Sequence, residues 1–133
     1  MLIALTDENH VHYAKAMQWL DGPGRHDWGV CALTGSGLLR LLVNPKVGSL
    51  SIEMASEVLA ALIDHPGYRF WPMVDDWTTL AAPFIEQVFG HQQITDAYLL
   101  GLAIKEDGIL VTMDRAIQYM AGAKYRKNVL LLE

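Results

Sequence analysis

Short apolar segments that suit buried strands alternate with longer segments that suit helices along this 133-residue chain. This alternation predicts an α/β fold with a mostly parallel central sheet flanked by helices on both faces. The strand-like segments are WGVCAL, YRFW, ILVT and NVLLLE, and the main helical segments are residues 10–20, 34–43, 51–63, 77–89, 96–105 and 116–120. No linker, repeat or low-complexity tract interrupts them, so we expect one domain over residues 1–133.

The composition excludes several classes of protein. Apolar residues make up 52% of the chain and charged residues 19%, which excludes a disordered chain. The net charge of −5 argues against a passive DNA-binding module, although an enzyme that meets nucleic acid at a small local site remains open. The N-terminal MLIALTDENH lacks the basic region of a signal peptide, and Cys31 has no second cysteine to pair with. We therefore expect a cytoplasmic protein that does not enter a membrane.

Two aspartates, Asp96 and Asp114, lie at the edges of the apolar segments TDAYLLGLA and ILVT. In a parallel arrangement the N-terminus of a helix and the carboxyl end of the next strand reach the same edge of the sheet, where open α/β sheets bind ligands. Two adjacent carboxylates repel each other, and a hard divalent cation such as Mg²⁺ or Mn²⁺ would remove the repulsion. The alternative is that both residues are ordinary helix caps.

Four segments resemble those of PIN-domain proteins of the VapC type, the ribonuclease toxins of bacterial toxin–antitoxin pairs. They are WGVCALTGSGLLRLLVNP, PGYRFWP, GHQQITDAYLLGLA and LVTMDRAI. The resemblance implies a PIN-like three-layer sandwich that cuts RNA with Mg²⁺ or Mn²⁺ held by about four acidic residues. It also implies an antitoxin partner and a homodimer. Asp96 and Asp114 match the third and fourth family acids, which makes them the candidate metal-binding and catalytic residues.

The chain departs from the family pattern at the other two acids. Relatives usually begin with a short strand ending in Asp-x-Asn, whereas MLIALTD starts inside the helix that follows it, so we expect an N-terminally short domain. A start-site error and a genuine loss both explain this. Gly35 stands where relatives carry a glutamate. We therefore expect weak or lost ribonuclease activity, and the alternative is a non-catalytic PIN-fold module that binds an antitoxin or dimerises.

Two further residues are candidates for contact with the substrate. The resemblance puts Thr95 beside the metal site, where its hydroxyl would hold a water or a phosphate, and helix capping is the alternative. Arg40 lies beyond Gly35 on the same predicted helix, where it would meet an RNA phosphate or remain a solvated surface residue.

The missing first strand carries one further expectation. In PIN domains it lies between the strands seen here as WGVCAL and ILVT. Unpaired strand edges are unfavourable when buried and adhesive when open. We therefore expect either direct pairing of the strands near Val30 and Leu110, or a second copy of the chain in the vacant position.

Overall fold

The computed structural model describes all 133 residues, which fall into two compact units, Met1–Met73 and Val74–Glu133. The first unit contains helices α1 to α4 and strands β1 and β2. In chain order they are α1 (Leu2–Thr6), α2 (Tyr13–Asp21), β1 (Trp28–Val30), α3 (Ala32–Val43), α4 (Ile52–Ile63) and β2 (Tyr68–Phe70). The second contains α5 (Trp77–Ala81), α6 (Ile94–Lys105), β3 (Leu110–Thr112), α7 (Arg115–Ala121) and β4 (Val129–Leu131), with 3₁₀ turns at Ala82–Gln87, His91–Gln93 and Arg126–Asn128.

In the first unit, α3 and α4 pack around a small apolar core to which α3 contributes Leu38 and Leu42 and α4 contributes Ala55. Strand β1 pairs with β2 in parallel, with Trp28 opposite Tyr68. The indole N–H of Trp28 donates to Nδ1 of His65 at 2.9 Å, which ties the start of β1 to the turn before β2.

The second unit is built around α6, which is buried along most of its length. Leu100 of α6 and Phe84 of the first 3₁₀ turn are its fully buried large side chains. Gly101 lets α5 approach α6, since a Cβ at this position would overlap the backbone carbonyl of Leu80. Strand β3 pairs with β4 in parallel, with Leu110 opposite Val129.

The predicted fold class is confirmed, because helices alternate with short strands that pair in parallel. The detail of the sheet differs from the prediction, since the four strands form two two-stranded sheets, β1–β2 and β3–β4, instead of one. Val30 pairs with Phe70 and Leu110 with Val129, so direct pairing between the strands near Val30 and Leu110 does not occur. The alternative, in which a second copy of the chain fills the vacant position, stays a prediction because the structure contains one chain.

Most helices lie where the sequence predicts them, but the helix predicted over residues 77–89 ends at Ala81 and is followed by a 3₁₀ turn to Gln87. Helix α3 begins at Ala32, two residues early, because the Thr34 hydroxyl accepts the backbone N–H of Cys31 at 3.1 Å from inside the first turn. Pro83 lies in the first turn of the 3₁₀ segment that follows α5, a position that suits a residue without an N–H. None of the helices is both long and apolar enough to cross a bilayer.

Candidate metal centre

Asp114 lies immediately beyond the carboxyl end of β3 and precedes the first turn of α7. Its Oδ1 accepts the backbone N–H of Ala116 at 2.8 Å, which makes it the N-cap of that helix. Its own backbone N–H donates to Oγ1 of the buried Thr112 at 3.0 Å. The capping interpretation of Asp114 is therefore correct, and the two hydrogen bonds fix the direction of its carboxylate.

Asp96 lies in the first turn of α6 and is half-buried. Its pKa is raised above the ordinary carboxyl value, first by burial and second by the negative charge of Asp114. Repulsion of this kind acts between carboxylates that share one site. Asp114 therefore acts electrostatically on Asp96 as well as capping a helix.

The N-terminus of α6 is held by a neighbouring segment. Its N-cap, Gln93, makes no side-chain capping bond. Instead the indole N–H of Trp77 donates to the carbonyl oxygen of Ile94, the first residue of α6, at 2.8 Å. Asp96 is two residues further along, so this bond fixes the turn that carries it.

The rest of α6 is tied to the same segment. The hydroxyl of Tyr98 donates to the backbone carbonyl of Asp75 at 2.8 Å. Lys105 forms an ion pair with the carboxylate of Asp75, and this hydrogen bond raises the pKa of the lysine. Trp77, the first residue of α5, therefore contacts the first turn of α6, and Asp75, just before α5, contacts its middle and its last residue.

The donor chemistry of the aspartate pair fits a hard divalent cation. Carboxylate oxygens are the ligands that Mg²⁺ and Mn²⁺ prefer, and Mg²⁺ is often bound through one or two carboxylates while it retains water. No group of three or more His, Cys, Asp or Glu residues is arranged to hold a metal. Asp96 and Asp114 alone would make a sparse site, with less negative charge than a set of four acids would supply.

The other predicted site residues are divided between the two units. Thr95 is exposed in the first turn of α6. The helix begins at Ile94, directly after a 3₁₀ turn, and its N-cap is Gln93. The predicted capping role of Thr95 is therefore wrong. Arg40 is exposed in the last turn of α3 and forms no ion pair. Gly35 is buried in α3, where a Cβ would lie 3.6 Å from Cγ1 of Val30. Arg40 and Gly35 belong to the first unit, and Thr95 belongs to the second.

The residues that position the first turn of α6 are not among those that the sequence predicts. Trp77 is expected from the sequence only as the start of a helix, and its bond to Ile94 joins residues 17 apart. A tryptophan near a helix is an ordinary feature of a sequence, so no local pattern predicts this hydrogen bond.

Comparison with known proteins establishes the family of the chain. The PIN domain family model matches residues 1–123. The chain belongs to the PIN-domain family, in its VapC group. It is 35% identical to Ribonuclease VapC38 of Mycobacterium tuberculosis, over 98% of this chain and 92% of the relative. It is 32% identical to Ribonuclease VapC44 over 91% and 86%, and 35% identical to Ribonuclease VapC39 over 92% and 90%, both of Mycobacterium tuberculosis. The expected family resemblance is confirmed.

Proposed function

We propose that this protein is a toxin-type endoribonuclease that depends on Mg²⁺ or Mn²⁺ and whose activity is weak in this 133-residue chain. The observation that carries the proposal is the electrostatic coupling of Asp96 and Asp114 at the junction of β3, α6 and α7. Relatives named as ribonucleases, similar over nine-tenths of the chain, support the same reaction.

Asp96 and Asp114 are the residues that would hold the cation. A divalent cation bound there would stabilise negative charge on a phosphate of the RNA. Asp114 is oriented for this role by its bonds to Thr112 and Ala116, and Asp96 by the anchoring of Ile94 to Trp77. Without a cation the two negative charges would repel a phosphate.

Weak activity follows from the number of acids. Two carboxylates supply half of the charge of the family set of about four, so both cation affinity and charge stabilisation should fall. Gly35→Glu would add one acid, and space for its Cβ exists beside Val30 and Leu59.

A cleavage assay tests the proposal. The chain is incubated with a mixed RNA pool and Mn²⁺, and we expect slow cleavage that EDTA stops and that Asp96→Asn together with Asp114→Asn abolishes. Asp107→Asn is a matched control, because Asp107 is exposed in the same unit and asparagine tolerates its positive φ of 51°. Cleavage that persists in the double variant would contradict the proposed site. Rapid cleavage by the unchanged chain would contradict the proposal that its ribonuclease activity is weak.

A second candidate function is a non-catalytic module that binds an antitoxin, and one helix favours it. In α4 only Ala55 is buried, whereas Ile52 is 76% exposed and Met54 and Ile63 are also exposed. Exposed apolar surface on a helix is typical of a site that binds another protein. This surface is compatible with an antitoxin or with a second copy in a homodimer, and it does not depend on catalysis.

Binding experiments separate this second function from the first. Co-expression with the product of an adjacent antitoxin reading frame should give a complex that Ile52→Asp weakens, while Val11→Asp, at a comparably exposed site outside α4, leaves it intact. Light scattering of the chain alone tests the homodimer.

We also propose a cytoplasmic location, which the free and buried thiol of Cys31 supports. Fractionation of cells that express the tagged protein tests this proposal.

A further inference from the structure

An exposed aromatic ring precedes the helix that carries Asp96. The side chain of Phe89 is 84% exposed, although full exposure of a large ring is unfavourable in water. Its surroundings in sequence, residues 87–95 (QVFGHQQIT), contain no acidic residue, in a chain of net charge −5. Glu86 and Asp96 border this stretch, which itself carries no negative charge.

The backbone around Phe89 is held in place. The N–H of Phe89 donates to Oε1 of Gln93 at 2.7 Å, and the N–H of Gln93 donates to the carbonyl of Gly90 at 3.0 Å. On the other side Val88 packs against the apolar core of the second unit. The ring is thus carried on a closed turn rather than on a loose chain.

The turn is joined directly to the aspartate site. Gln93 is both the residue that closes the turn and the N-cap of α6, and Asp96 follows three residues later, less than one helical turn away. The first turn of α6 is itself anchored by Trp77. Phe89 and Asp96 therefore belong to one connected and hydrogen-bonded segment.

We propose that Phe89 is a substrate-binding residue that stacks on a base of single-stranded RNA next to the phosphate that meets Asp96 and Asp114. This inference rests on the proposed ribonuclease function. Aromatic rings bind single-stranded nucleic acid by stacking, which accepts any base. A base is favoured over a protein partner because the residues that directly follow the ring, Gly90, His91 and Gln92, are exposed and carry no apolar side chain. The amide and imidazole groups of these neighbours are suited to hydrogen bonds with base edges.

Binding of a labelled single-stranded 12-nucleotide 2′-O-methyl RNA, followed by fluorescence anisotropy in Mg²⁺, tests this role without cleavage. We expect Phe89→Ala to weaken binding roughly 5- to 150-fold, the range that follows from the loss of one stacked base. Phe89→Trp should retain the affinity and show quenching of the new indole when RNA binds. Tyr119→Ala is the matched control, since Tyr119 is 81% exposed in the same unit and should be replaceable without effect.

The outcomes distinguish this inference from the function on which it rests. If the unchanged chain does not bind the RNA, the ribonuclease proposal fails and the role of Phe89 fails with it. If the unchanged chain binds and Phe89→Ala binds equally well, only the stacking role is overturned. The stacking role is likewise overturned if Tyr119→Ala weakens binding as much as Phe89→Ala does. A change of oligomeric state in Phe89→Ala with unchanged RNA affinity would assign the ring to an interface between copies and overturn the proposal.

Discussion

Burial and, second to it, the negative charge of Asp114 raise the pKa of Asp96, while the same Asp114 carboxylate accepts the N–H of Ala116 as the cap of α7. One residue therefore has a structural role and an electrostatic role. The capping interpretation and the shared-site interpretation are alternatives in the sequence; the structure confirms the cap, and the shared metal site stays a prediction. Substitutions at the two aspartates can separate the roles, because a cap needs an oxygen acceptor and the repulsion needs a charge.

Asp114→Ala and Asp114→Asn should differ in stability. Alanine removes the acceptor of the Ala116 N–H and should lower the free energy of unfolding by about 1 kcal/mol. Asparagine keeps an acceptor oxygen, so its free energy of unfolding should stay close to that of the unchanged chain. Urea denaturation at pH 7 measures both. Equal losses in the two variants would mean that the cap contributes nothing measurable.

Asp96→Asn should stabilise the protein at neutral pH. Because the pKa of Asp96 is raised in the folded state, the folded chain holds this proton to a higher pH than the unfolded chain does. The free energy of unfolding therefore falls as the pH rises from the ordinary carboxyl value of 3.8 through the raised value, and it stays lower above that window. Asp96→Asn removes this fall in the free energy of unfolding, because the asparagine side chain does not ionise.

The gain at pH 7 should be about 0.2–1 kcal/mol, the range measured for partly exposed charge interactions. It should disappear near pH 3, where Asp96 is protonated in both states. Urea denaturation of both proteins between pH 3 and pH 7 provides the measurement. A variant that is less stable at pH 7, or whose difference does not change with pH, would contradict the electrostatic account of the site.

Gly101→Ala should be strongly destabilising, because a Cβ there would overlap the carbonyl of Leu80 and force α5 away from α6. Overpacking of this kind lowers stability by about 1–3 kcal/mol or more. Gly37→Ala in α3 is the matched control, since no atom lies within 4 Å of its Cβ position. That change should stabilise the chain by roughly 0.5–1 kcal/mol through helix propensity. Thermal unfolding measures the Tm of both variants. A shift of Tm in the same direction in both would contradict the close approach of α5 to α6 at Gly101.

The parts of the fold that sequence reasoning predicts well are those governed by local patterns. Helix α4 begins after Ser51, whose hydroxyl accepts the N–H of Met54, and it ends at Ile63, as its capping residue and apolar periodicity predict. Asp96 and Asp114 are paired by a topological rule that needs only the order of helix and strand. Their coupling in the structure is consistent with that rule.

The features that the sequence does not predict depend on contacts between distant residues. The start of α6 at Ile94 follows from a 3₁₀ turn that continues directly into the helix, and the turn gives no distinct pattern. The bonds of Trp77 to Ile94 and of Tyr98 to Asp75 join residues 17 and 23 apart. The partner of each strand likewise depends on which edges meet in three dimensions, so two separate parallel pairs replace the expected single sheet.

The central claim, that Asp96 and Asp114 form a sparse site for a divalent cation, is tested most directly by titrating the chain with Mn²⁺ and following paramagnetic broadening of backbone amide resonances. We predict broadening centred on the first turn of α6 and the first turn of α7, with a dissociation constant on the order of millimolar, as expected for an oxygen site of low charge. Asp96→Asn with Asp114→Asn should abolish it, while Asp107→Asn should not. Micromolar binding, or broadening that survives the double substitution, would contradict the account.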